Sequence, residues 1–208
     1  MLGPAILTVD LNFLNKPGTI GVYLLPHSHG GILIETGPTS TIPQLIKGLK
    51  EYGFSLSQIT DVFLTHIHLD HAGGAGIMAR DLPKAKVFVH PRGARHLIDP
   101  ARLTAGARMI YGDDFDRLFG EILPVPGERV CTPADGDTLD LGGGRALTFF
   151  HTPGHARHHF CVHDSLTNGW FTGDTFGLSY REFDTHNGAF LFPKMEAGQI
   201  DNKAGRAG

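Results

Sequence analysis

Cysteine is scarce: Cys131 and Cys161 are the only two in 208 residues. Two thiols build no disulfide framework, and free thiols in a cytoplasmic protein are the expectation. Long apolar runs are missing as well. None approaches the roughly 20 residues of a membrane helix, and the opening MLGPAILTVD has neither the basic start nor the long apolar stretch of a signal peptide. Excess positive charge is also absent. A formal net charge of −3 gives no electrostatic reason to expect nucleic acid or an anionic membrane as a partner; the partner expected is a small-molecule substrate. No internal repeat or linker divides the chain, and its length suits one domain with a real core.

Two residue types are plentiful instead. Glycine, at 28, suits tight loops around a sheet fold, and histidine reaches 13. Strand-like runs occur at 5–10, 19–26 and 31–37, the last two joined by a hairpin turn, PHSHGG. Apolar residues at Ile42, Leu45, Ile46 and Leu49 give 39–54 a helical spacing that Gly53 stops. DVFLT (61–65) and AKVFVH (85–90) read as buried strands, with a short helix over 74–82 between them. Residues 92–122 read as helical with breaks near Pro100 and Gly112, and 124–151 as short strands and glycine turns. Strands at 159–164 and 169–174 follow, and Phe190 and Phe192 alternate like a strand packed on a core. Residues 193–208 are small, polar and aperiodic, and read as a disordered tail after a domain spanning 1–192. The mixture predicts an α+β (α/β) sandwich of sheets with helices outside.

The chemistry concentrates in LTHIHLDHAGG (64–74). In an extended segment, His66 and His68 point to the same side and can converge on one ion. Asp70 and His71 follow as the chain turns and reach a second point nearby. Imidazole and carboxylate donors without thiolate suit zinc, iron or manganese. The remaining ligands must lie elsewhere. In HTPGHARHHF (151–160) a Thr-Pro-Gly turn carries His155, and in FTGDTFG (171–177) Asp174 follows an apolar strand and is placed to bridge two ions.

THIHLDH, HTPGH and FTGD, in that order, resemble the metallo-β-lactamase superfamily, in its glyoxalase II-like branch, over about residues 18–192. The resemblance implies a four-layer αβ/βα sandwich with two zinc ions at one edge. His66, His68 and His155 would hold the first, Asp70 and His71 the second, and Asp174 would bridge them. Two departures stand out. Glu35 occupies the place of a usual aspartate in GILIETG, with a modest effect expected. The last histidine ligand of the family pattern is missing, so the second metal site is expected to be incomplete and the fold short of its last elements. His186, the one histidine beyond Asp174, reads as a surface residue.

The chemistry implied is hydrolysis of a small ester, thioester or lactone by water activated on the metal, with Asp70 or Asp174 orienting that water and accepting its proton. Two alternatives remain. One is a persulfide dioxygenase-like enzyme holding one iron through His66, His155 and Asp174, a set that does not need the missing histidine. The other is a shortened, inactive metal-binding protein whose exposed core face favours a homodimer. Among the other histidines, His27 and His29 read as exposed turn residues, and His151 as either a support behind the ligands or structural. His158 and His159 flank the HTPGH motif, one of them a candidate to line the cleft or buttress a ligand. Cys161 reads as core.

Overall fold

The computed structural model describes residues 6–179 and 181–192. The 193–208 tail expected from composition lies outside them. Among the described residues, ten strands form two sheets. In the first, β1 (Leu7–Asp10), β2 (Gly21–His27) and β3 (Gly30–Ile34) are antiparallel neighbours. Next to β3, parallel, come β4 (Ile59–Leu64), β5 (Lys86–Val89) and β6 (Val130–Cys131). Parallel neighbours require crossovers. These contain α1 (Ile42–Glu51), then α2 (Leu69–Ala72) with α3 (Ala75–Asp81), then α4 (Pro91–Ile98), α5 (Ala101–Tyr111) and α6 (Phe115–Phe119). The second sheet is an antiparallel meander of β7 (Thr138–Asp140), β8 (Ala146–His151), β9 (Phe160–Asp164) and β10 (Gly169–Phe171). Among the described residues no α-helix follows β10.

Strand alternation divides the core in two. Leu24, Leu33, Val62, Leu64, Val87 and Val89 face Ile42, Leu45, Leu49 and Met78 of the helices. Their neighbours Leu25, Ile32, Ile34 and Phe63 face Leu147, Phe149, Phe160 and Val162 across the gap between the sheets. A smaller cluster joins Phe115 and Phe119 of α6 to Leu69, inside the histidine-rich motif. The second sheet is tied together by a buried pair in which the Arg145 guanidinium donates to both oxygens of Asp164, at 2.9 and 2.8 Å.

The expected helices are present and break where expected, at Asp99–Pro100 and at Gly112. Residues 188–192 differ. Phe190, Leu191 and Phe192 are half exposed, and the segment's strand-like contacts are two isolated bridges, Phe192 to Leu178 and Gly188 to Thr185. Alternating aromatics there have no second layer to pack against among the described residues. His27 also differs from a free turn residue: its Nε2 lies 3.1 Å from Thr60 Oγ1 of β4, two strands away in the sheet.

Candidate metal centre

Four loops meet at one edge of the sandwich. β4 ends at Leu64, the chain bends at Thr65, and His68, with an extended ψ of 148°, is the N-cap of α2. The His66 and His68 rings come together there, with centroids 4.5 Å apart. Asp70 and His71 then fall in the single turn of α2. That turn is held from below by β3's continuation, where the Thr36 and Gly37 amides and the Thr36 hydroxyl all donate to the His71 carbonyl at 2.9–3.1 Å. Glu35 and Gly37 reach this arrangement with φ of 71° and 69°, so the chain turns through the left-handed region at a non-glycine residue beside the site. From the second sheet come His155, in the loop between β8 and β9, and Asp174, just after β10. The Phe160 amide donates to the Thr65 carbonyl at 2.9 Å and stitches the two sheets together at this point.

Every sequence-predicted site residue is brought to this edge. Potential ligand atoms of His66, His68 and His155 lie within 4.8 Å of one another, as do those of Asp70, His71 and Asp174. His155 Nε2 is 2.9 Å from His68 Nδ1 and 3.6 Å from Asp174 Oδ2. His71 Nε2 is 3.2 Å from Asp174 Oδ1 and 3.7 Å from Asp70 Oδ2. Asp174 thus touches a member of each group, as a bridging carboxylate must. Ligands around a tetrahedral zinc at about 2.0–2.1 Å stand roughly 3.3 Å apart, so these separations suit donors about to share an ion. His66 Nε2 fits the same picture: it is buried with no hydrogen-bond partner, a costly state for a polar atom unless something binds it. The donor set of imidazole and carboxylate is that of a borderline divalent cation.

The electrostatics follow from the crowding. Burial, with His71, His68, His159 and His155 close by, holds the His66 imidazole well below its ordinary pKa. His71 goes the other way: burial opposes its charge, but Glu35, Asp174 and Asp70 hold its pKa well above the usual histidine value. The three carboxylates thus favour a positive charge where His71 stands.

Four residues matter more here than their sequence context showed. His159 is fully buried, and its Nδ1 lies 2.9 Å from Thr152 Oγ1 and 3.0 Å from Thr175 Oγ1, joining the loops that carry His155 and Asp174. Burial, then His155 and His71, push its pKa down to about 3. His158 stands at the rim, its ring 5.4 Å from that of His68, with its pKa lowered to about 4, chiefly by burial. Of the two flanking histidines, His159 is therefore the buttress and His158 the one beside the cleft. Glu35 and Thr65 form a hydrogen-bonded pair beneath the cluster. Glu35 was expected to act modestly, yet it joins His66 and His71 in a third group of possible ligands within 4.8 Å. No local pattern announces Thr65, because its partner lies thirty residues away. His186 is exposed, as expected. Cys161 is buried and bonded to Thr152 and the Thr172 carbonyl, apart from the donor groups. His151 meets Pro133 O and the ring of His90, a structural role.

Comparison with known proteins agrees with this architecture. The ST1585 protein of Sulfurisphaera tokodaii, named as a metallo-beta-lactamase fold-containing protein, is 28% identical over 167 residues, covering 79% of this chain and 59% of that one. The crystal structure of ST1585 superposes with a TM-score of 0.67 over 91% of this chain and 68% of that chain, at 23% identity. Human acyl-coenzyme A thioesterase MBLAC2 is 26% identical over 203 residues, covering 83% and 64%. Hydroxyacylglutathione hydrolase of Maricaulis maris is 33% identical over 143 residues, covering 68% and 44%. The chain spans between 44% and 64% of the length of these curated relatives. The profile of the metallo-beta-lactamase superfamily matches residues 16–193, and with the histidine–aspartate edge in place the chain belongs to that superfamily.

Proposed function

We propose that the protein is a metal-dependent hydrolase acting on a small thioester or ester, and that His66, His68 and His155 hold one cation while Asp70, His71 and Asp174 hold a second. The observation that carries the reading is the meeting of these six side chains from both sheets, with Asp174 in contact with each half. The names of the relatives, a thioesterase and a hydrolase, point the same way. A bound cation of this class supplies Lewis acidity and lowers the pKa of a coordinated water. Asp70, the more open of the two aspartates with 38% side-chain exposure, receives the proton of the attacking water and returns it to the leaving thiolate or alkoxide as the acyl bond breaks. Asp174, buried between His71 and His155, orients that water, and His158 contributes a neutral polar wall.

Three donors in the second group remain close without a further histidine, which supports two cations rather than one. The test is elemental analysis of the purified protein together with hydrolysis of a panel of acyl thioesters and esters, beside a His155→Ala variant. Zinc near two per chain, with turnover cut at least about 100-fold in the variant, is the expected result. A single iron with oxygen uptake on a persulfide replaces this reading with the oxidative one. Failure to retain any metal refutes both.

A further inference from the structure

His66 and His71 belong to different halves of the site, yet both are tied to one buried carboxylate. Glu35 Oε1 accepts from the Thr65 hydroxyl and lies 3.3 Å from His71 Nδ1. Thr65 Oγ1 in turn lies 3.1 Å from His66 Nδ1. Counting protons fixes the direction of each link. A hydroxyl has one proton to give, and Glu35 Oε1 is the acceptor of the Thr65 hydroxyl. The Thr65 proton therefore goes to Glu35, and its oxygen is left to accept. The proton between Thr65 and His66 must then sit on His66 Nδ1. That leaves His66 Nε2 as a bare lone pair, and Nε2 is the buried nitrogen without a hydrogen-bond partner. His71 Nδ1 meets the same carboxylate and so carries a proton too. Its Nε2 faces Asp174 and Asp70.

We propose that Glu35 is the positioning residue for both halves of the metal site, setting His66 through Thr65 and His71 directly, so that each presents Nε2 to a cation. The proposal rests on the metal-site reading above. It differs from a general packing role for Glu35 because it runs through one hydroxyl. Without the carboxylate, the Thr65 hydroxyl turns towards His66 Nδ1 and drives that ring's proton onto Nε2, the ligand atom. Without the hydroxyl, only the His66 arm is cut.

The experiment measures stepwise zinc affinities of the full chain by competition with a chromophoric chelator. The variants are Thr65→Val, Thr65→Ser, Glu35→Met (close in length, without the carboxylate) and the Thr65→Val/Glu35→Met pair. Loss of such an outer partner typically costs about 10–100-fold in affinity. Thr65→Val is expected to weaken one step by that factor and leave the other within about twofold, with Thr65→Ser restoring it. Glu35→Met should weaken both steps, and adding Thr65→Val should not weaken the His66 step further. Nitrogen-15 spectra of the zinc-loaded protein should show His66 and His71 both protonated on Nδ1. Unchanged affinities in Thr65→Val, or losses that multiply in the double variant, overturn the proposal while the metal-site reading stands. Should Glu35→Met fail to fold, the Thr65→Val and Thr65→Ser pair with the spectra decides. Wild-type protein that takes up no zinc overturns the metal-site reading itself.

Discussion

His90 closes the N-terminus of α4: its Nδ1 accepts from the Arg92 amide at 3.1 Å, while its ring packs 4.2 Å from that of His151. Burial, then His151 and Arg92, hold its pKa down to about 4. The folded protein therefore keeps His90 neutral where the unfolded chain, with an ordinary value near 6.5, takes up a proton. Its contribution to stability is complete above about pH 6.5 and is lost as the pH falls towards 4. Urea unfolding at pH 7 and pH 5 should show the loss, and His90→Asn, which keeps a capping acceptor, should flatten it. At this scale much of the site was legible. The two-residue spacing of His66 and His68, and the adjacency of Asp70 and His71, are local facts that a strand end and a helical turn convert directly into convergence. Glu35 and Thr65 were not legible as a pair, because their contact depends on β3 lying beside β4. His158 and His159 could be flagged but not told apart. Only the fold shows that His159 points between Thr152 and Thr175.

Among elements, two helical glycines make a contrast. A Cβ on Gly76 of α3 would stand 2.0 Å from the Leu123 carbonyl oxygen, a backbone atom that cannot swing aside. Gly106 of α5 has nothing within 4 Å of the same point. Gly76→Ala should therefore destabilise by about 1–3 kcal/mol through overpacking. Gly106→Ala should stabilise by about 1 kcal/mol through helix propensity alone. Thermal or urea melts of the two variants check both signs. Helical periodicity predicted α1 because Ile42, Leu45 and Leu49 all face the first sheet. The same logic misled at Phe190 and Phe192. Their alternation is that of a buried strand, but burial needs a partner layer, which no property of the segment itself supplies.

For the whole molecule, the division into two sheets was readable only as a class, since neither strand order nor the parallel run from β3 to β6 is written in local patterns. Among the described residues no helix is long and apolar enough to cross a membrane. The helices in the crossovers pack on the first sheet, whereas the second sheet presents Trp170, half exposed, against Phe150 and His163.

The donors are split between these two sheets: four sit where β4 runs into α2, and His155 and Asp174 belong to the loops of the second. A cation gripped by both groups is a rivet through the sandwich, and its binding free energy becomes cohesion between the halves. Stripping the protein with a chelator should lower its melting temperature. It should also raise amide exchange along β9 and β10 more than along β2 and β3, which the α1 layer still clasps from behind.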